Sequence, residues 1–275
     1  MDNTHLYQGI IDELNAGGLA IPSNAEVVMR VKRALGDPDC TIDHASKLIQ
    51  AEPLLAARAV AVANSIAYNR SGVEISDLHM AVSRLGFRML RSLTMVVLVR
   101  QVFGHPGEPQ RAALQQQLWR HSMHVAAIAS LIARRTGGEP ETALFAGILH
   151  EIASFFIINN CEDIALLQDG GFGDWRQVGE PMITAALMQY LEAPAVVVEA
   201  VAAMHNDAPA SPPQTLGDIL HFADRLSPAT SPLNDPQVDI GPFGAEYAAT
   251  LSDEYLAGLL DESAEEVNSL VSSLA

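Results

Sequence analysis

The stretch Glu141-Thr-Ala-Leu-Phe-Ala-Gly-Ile-Leu-His150-Glu151-Ile-Ala-Ser-Phe-Phe-Ile-Ile-Asn-Asn160 decides the fold class. It shows no alternation of apolar and polar residues and reads as one helix over Glu141–Asn160. His150 and Glu151 sit at its centre. Adjacent helical residues point about 100° apart around the axis. Both side chains therefore reach one metal ion only if the ion lies over the edge between them. This pair is the centre of the best metal-ligand cluster in the chain.

The helical reading extends in both directions. Toward the C-terminus, Asp169–Gly179 is Gly-rich and loop-like. Helices follow over Pro181–Leu191, Pro194–His205 and Thr215–Leu226. Ser227–Gly244 reads as a long loop and Tyr247–Leu274 as an acidic helical pair. Toward the N-terminus, a helix over Gln110–Arg135 ends at Gly137-Gly138. Before it, Gly104-His-Pro-Gly-Glu-Pro109 is the clearest break in the chain. It divides an N-terminal helical subdomain, residues 1–104, from a second helical subdomain, residues 105–275.

In the first subdomain, Asp2 and Asn3 cap a helix that ends at Gly17-Gly18, and Ser23-Asn24 opens a helix closed by Gly36. Thr41 caps the next. Pro53 begins another, where its missing N–H is not needed. Ser76 caps a helix over Asp77–Leu85, and Gly86 ends it in the left-handed conformation. A long apolar helix covers Arg88–Phe103. The expected fold is an all-α helical bundle with an N-terminal helical subdomain.

Composition narrows the function classes. Hydrophobic residues make up 49% of 275, and aromatics only 5%, which favours packed helices over a sandwich or barrel. Sixteen basic residues against 33 acidic ones leave a net charge of −17, which argues against nucleic acid and anionic lipid as partners. Arg84–Arg100 has four arginines but is strongly apolar between them, as a core helix with arginines at its edges. Cys40 and Cys161 make no disulfide framework. The N-terminal residues lack a signal-peptide pattern, and the most apolar run, Leu93–Phe103, is short and carries Arg100. The expected location is the cytoplasm, with no membrane insertion. The oligomeric state is not legible.

Seven residues carry candidate chemistry: His121, His124, His150, Glu151, His205, His221 and Asp224. His121 and His124 are three apart on one helix, as are His221 and Asp224. Crossing helices bring such residues together inside a bundle. Imidazole with carboxylate suits a divalent metal that activates water. Taken singly, each of these histidines is more often a hydrogen-bonded packing or surface residue.

Five segments in order resemble the HDOD domain family. Glu52-Pro-Leu-Leu-Ala-Ala-Arg58 with Ala63-Asn64-Ser65 is similar to its DP-L--R-L---NS signature. Ile75-Ser76, Ala81-Val82 and Leu85-Gly86 follow its I-S---AI--LG segment. Trp119-Arg-His-Ser122 with Val125-Ala126 resembles W--S--VA, and Ala146-Gly-Ile-Leu-His150 resembles AGLLH. The resemblance spans Gly18 to Leu226. It implies an all-α fold related to the HD phosphohydrolases and a role as a bacterial signal-transduction output or scaffold module. The HD-GYP relatives hydrolyse cyclic di-GMP at a multinuclear metal centre.

Carried over by position, His121 matches the first ligand histidine and His150 the histidine of the HD pair. Glu151 replaces the aspartate, and the extra methylene shifts a carboxylate by roughly 1.5 Å. Ala153 and Ser154 stand where the relatives have glycine and lysine. Glu180 stands at another ligand histidine. His205 survives from a double-histidine segment, after Met204, and no Gly-Tyr-Pro follows. Asp224 matches a late aspartate.

The resemblance thus implies a vestigial metal site of His121, His150, Glu151, His205 and Asp224, with a divalent metal as the candidate cofactor and no catalytic residues. The expected function is a non-catalytic scaffold acting on a signalling protein partner. The alternative is a metal-dependent phosphohydrolase for a nucleotide or cyclic dinucleotide. A ligand-free helical adaptor also stays open.

Overall fold

A computed structural model describes residues 4–16, 23–104, 107–161, 175–206, 209–233 and 254–274. The fold is all-α, with no strand among the described residues. The helices are α1 Thr4–Asn15, α2 Ser23–Gly36, α3 Ile42–Gln50, α4 Pro53–Ala63, α5 Leu78–Phe103 and α6 Pro109–Thr136. They continue with α7 Pro140–Leu149, α8 Ile152–Asn160, a π-helical turn Trp175–Gly179, α9 Glu180–Tyr190, α10 Ala195–Asn206, α11 Leu216–Leu226 and α12 Glu254–Leu274. Two compact units result: residues 1–20 with 106–262, and residues 21–105 with 263–275.

Residues 21–105 and 263–275 form a unit centred on α5, against which α2, α3 and α4 pack. The apolar positions of α5 from Leu93 to Val99 are all buried. Thr41 caps α3 through Oγ1, which accepts from the His44 N–H at 3.2 Å. Asp77, not Ser76, caps α5 by accepting from the Met80 N–H at 2.9 Å. A carboxylate three residues ahead of that N–H reaches it as readily as a hydroxyl. Gly86 has φ 70° and ψ 167° and breaks α5 where the sequence ends one helix and begins the next.

The signature residues of this unit serve its packing. The Asn64 amide brackets Ile75, donating to its carbonyl at 2.6 Å and accepting from its N–H at 2.8 Å. The Ser65 hydroxyl donates to the Val62 carbonyl at 2.7 Å. Arg58 is 7% exposed and donates to the Leu274 carbonyl, at the C-terminal end of α12. Cationic groups suit a helix C-terminus. Burial, and then Arg100, lower its pKa to about 10.

Residues 1–20 and 106–262 form the other unit, in which α6 and α7 pack most extensively. A Cβ on Gly147 would stand 2.5 Å from the Ala126 Cα, so only glycine permits this approach. Gln115 ties α6 to α8 by donating to the Phe155 carbonyl at 3.3 Å and to Asn159 at 2.9 Å. Helix α11 packs on α6, α7 and α10. Thr215 and Asp218 close a capping box at its start.

The stretch Glu141–Asn160 is two helices, not one. Glu151 has φ −116° and ψ 34°, which ends the α7 ladder after Leu149 and restarts it at Ile152. By length and composition Pro140–Asn160 is apolar enough to cross a bilayer, yet 89% of its apolar window is buried within the protein. Trp175–Gly179 is a helical turn where the sequence reads as loop. At the C-terminal end, α12 is one continuous helix over Glu254–Leu274, and the start of the expected pair, residues 247–253, lies outside the described residues. The Gly17-Gly18 stop and residues 169–174 and 234–253 lie outside the described residues.

Chain order and spatial order differ at the N-terminus, because α1 packs on α9 and the π turn. Tyr7 is fully buried and meets Trp175 edge-on at 5.9 Å. Gly179 leaves room for both rings, since a Cβ there would stand 2.7 Å from each. Tyr7→Ala is expected to cost about 3–5 kcal/mol in chemical denaturation, the scale of a buried aromatic truncation. A cost under about 1 kcal/mol would mean that α1 is a loosely held appendage.

Candidate metal centre

Four of the candidate residues converge. His121 comes from α6, His150 and Glu151 from the elbow between α7 and α8, and Asp224 from α11. His121 Nε2 stands 3.0 Å from Asp224 Oδ1, 3.2 Å from His150 Nε2 and 3.6 Å from Glu151 Oε2. His150 Nε2 is 4.0 Å from Asp224 Oδ1. The two histidines and Glu151 are 1%, 2% and 3% exposed, while the Asp224 side chain is 21% exposed. The cluster is thus buried, with Asp224 on its open side.

The elbow explains how neighbours in sequence share one point. An unbroken helix would point His150 and Glu151 about 100° apart. The non-helical backbone at Glu151 turns its carboxylate back toward His121. With its extra methylene, the glutamate carboxylate stands within the group.

The protons of the two rings follow from their backbone contacts. His121 Nδ1 lies 2.7 Å from the Ala229 carbonyl, and His150 Nδ1 lies 2.7 Å from the Gly147 carbonyl. A carbonyl only accepts, so each Nδ1 carries a proton and donates. Both Nε2 atoms of the neutral rings are then lone pairs aimed at each other and at carboxylates. Four acceptors facing one another are repulsive unless a proton or a cation lies among them. Burial alone would lower the pKa of His121. The hydrogen bond to Asp224, the charges of Glu151 and Asp224 and the Ala229 carbonyl outweigh it and raise the value to about 9.

The donor set fits a divalent metal. With metal–donor bonds of about 2.1 Å, adjacent donors stand roughly 3.0–3.4 Å apart around a tetrahedral or octahedral ion. The separations around His121 Nε2 lie close to that range. His121, His150 and Glu151 each offer one ligand atom within 4.8 Å of the others. Both imidazoles also have the carbonyl partner on the far nitrogen that orients metal-ligating histidines.

Other candidates stand elsewhere. His124 bonds to the Arg120 carbonyl at 2.8 Å, on its own helix. His221 lines a separate cavity of about 460 Å³ with Glu199 and Met204. Burial, and then Arg225, lower the pKa of His221. His205 lies on α10, with its side chain outside the described residues. Ser154, in the place of a lysine, donates to Glu180 at 3.1 Å, and both are buried. Sequence reading missed the Ala229 carbonyl, for which no sequence signal exists. The glycine three residues before His150 was the available signal for the other carbonyl.

Known families and structures match as follows. The HDOD domain model matches residues 21–168, and the HD domain model matches residues 118–229, a span that holds all four converging residues. No curated protein matches the sequence. A protein of Shewanella amazonensis SB2B, proposed to be a metal-dependent phosphohydrolase, is similar in structure at TM-score 0.67 and 22% identity, over 100% of each chain. An HDOD domain protein of unknown function from Geobacter sulfurreducens is similar at TM-score 0.66 and 23% identity, over 99% of this chain and 98% of that one. A proposed signal transduction protein of Marinobacter aquaeolei VT8 is similar at 0.60 and 18%, over 99% and 66%.

The raised pKa of His121 has a consequence in metal-free protein. Its charged ring stabilises the fold fully below the ordinary histidine value of 6.5, and this contribution is lost as pH rises through about 9. Urea midpoints of chelator-treated protein are expected to fall across that interval, and Asp224→Asn to flatten the fall. A midpoint that rises across the interval contradicts the charged-ring assignment.

Proposed function

Because the chain belongs to the HDOD domain family, we propose that it is a signal-transduction module that works through protein contacts and holds one divalent metal ion as a structural element. His121, His150, Glu151 and Asp224 are the proposed ligands, and the resemblance adds His205 to the same set. The observation that carries this reading is the approach of His121 Nε2 and His150 Nε2 to 3.2 Å beside two carboxylates, each ring oriented by a backbone carbonyl behind it. A cation is the natural occupant of such a place. When bound, it supplies Lewis acidity.

Three observations favour structure over turnover. The three inner donors are at most 3% exposed, so a phosphate group has little access to them. Ser154 and Glu180 occupy the positions where the relatives carry a lysine and a histidine, and they bond to each other. A hydrolase acting on a phosphate ester needs a cation near the leaving group, and here Ser154 supplies none while Glu180 adds negative charge. The net charge of −17 adds long-range repulsion toward polyanionic substrates and nucleic acid. The proposed partner is a signalling protein.

A second reading has one observation in its favour. Four donors from three different regions of the chain converge, as they must in a metal-dependent phosphohydrolase. There His121, His150 and Asp224 would hold the ion, and Glu151 would either hold it or orient water.

Metal analysis of purified protein separates the readings. About one divalent ion per chain is expected, lost with chelator and in His150→Ala. Chelation is expected to lower Tm, since the ion binds only the folded state. A screen of phosphomonoester, phosphodiester and cyclic-dinucleotide substrates is expected to show no metal-dependent turnover. Turnover abolished by His150→Ala would establish the hydrolase instead, and protein that never holds stoichiometric metal would remove the metal from both readings.

A further inference from the structure

Helix α6 carries Ala113, Gln116, Gln117 and Arg120 at i, i+3, i+4 and i+7, along one face. Opposite them runs the non-helical segment Pro228–Thr230. Together these residues line an open cavity of about 380 Å³. Among the described residues that line it, Arg120 is the one charged side chain and none is a carboxylate. In a chain of 33 acidic and 16 basic residues, an arginine cavity without an acid is a local reversal of sign. Gln116 and Arg120 are exposed into it and offer amide and guanidinium N–H donors.

The far wall is anchored to the buried cluster. The Thr230 carbonyl accepts from Gln117 at 3.2 Å. The Ala229 carbonyl accepts from the Ser227 hydroxyl at 2.7 Å and from His121 Nδ1 at 2.7 Å. These acceptors are already engaged on the protein side, so the groups left for a ligand are mainly donors. A cavity of this size suits a small molecule.

We propose that this cavity binds a small anion carrying a carboxylate or phosphate group, through Arg120 and Gln116, and that its occupation shifts His121 through the Ala229 carbonyl. The site stands on its own residues whether or not a metal is bound nearby. A guanidinium pairs with either anion in a bidentate fork. Movement of residues 228–230 moves the carbonyl that orients His121 and so changes where Nε2 points.

The test is a titration of full-length, chelator-treated protein with inorganic phosphate, and separately with citrate, at fixed pH and ionic strength. Stripping the metal separates this result from the fate of the metal reading. Saturable NMR shifts are expected at Ala113, Ala229 and Thr230 and at the His121 ring. Arg120→Ala is expected to weaken binding by at least about tenfold, because one charge-assisted contact is lost. Gln116→Glu, which places a carboxylate in the cavity, is expected to weaken it similarly, while Arg120→Lys keeps part of the affinity. Saturation by phosphate alone or by citrate alone supports the site and names its ligand class. Shifts that never saturate, or that saturate equally in Arg120→Ala, overturn the site. Shifts at Ala229 with an unmoved His121 ring overturn the link to the cluster.

Discussion

Two backbone carbonyls, those of Gly147 and Ala229, set the chemistry of the buried cluster. Each accepts the Nδ1 proton of one histidine. The Nε2 atoms then have no freedom of tautomer and face Asp224 and Glu151 as lone pairs until a proton or cation arrives. Three features of this unit bring those carbonyls and rings into place. The tight crossing of α6 and α7 sets the distance between His121 and His150. The elbow at Glu151 frees one carboxylate to turn inward, and α11 delivers the other. The cluster is thus assembled by backbone geometry at least as much as by ligand choice.

Much of the fold was legible because helix boundaries are written in local chemistry. Thr41, Pro53, Gly86 and Gly137 stop or start helices for reasons confined to a few neighbouring residues. The shift from Ser76 to Asp77 at one cap is a choice between two adjacent groups able to do the same job. Legibility failed where tertiary packing overrides local pattern. Nothing in the apolar run from Thr142 to Ile158 announces a break. The break lies at Glu151 alone, whose backbone leaves the helix and turns its carboxylate toward His121. Likewise the π turn at Trp175 exists against Tyr7, a partner more than a hundred residues away in sequence.

The site divides along the same line. Spacing placed His121, His150, Glu151 and Asp224 among the candidates, but spacing treats His124 and His221 equally. Only the crossing of helices sends the first four to one point and the others to separate surfaces. The Glu-for-Asp replacement looked disruptive when judged by side-chain length alone. The Glu151 carboxylate nevertheless stands 3.6 Å from His121 Nε2. In the other unit, Arg58, Asn64 and Ser65 resolve into hydrogen bonds that fix a helix end and a loop. The signature residues of this unit are marks of architecture, whereas those around His150 are marks of chemistry.

Gly147 joins the two. Its missing side chain lets α7 approach Ala126, and its carbonyl orients His150. One position thus carries both the closeness of two helices and the tautomer of His150. In a genetic selection scored by cellular abundance, position 147 would rank with the core. Scored by ligand binding, it would rank with the site. Neither score alone would reveal the second role, so the order of importance drawn from any single phenotype would misplace it.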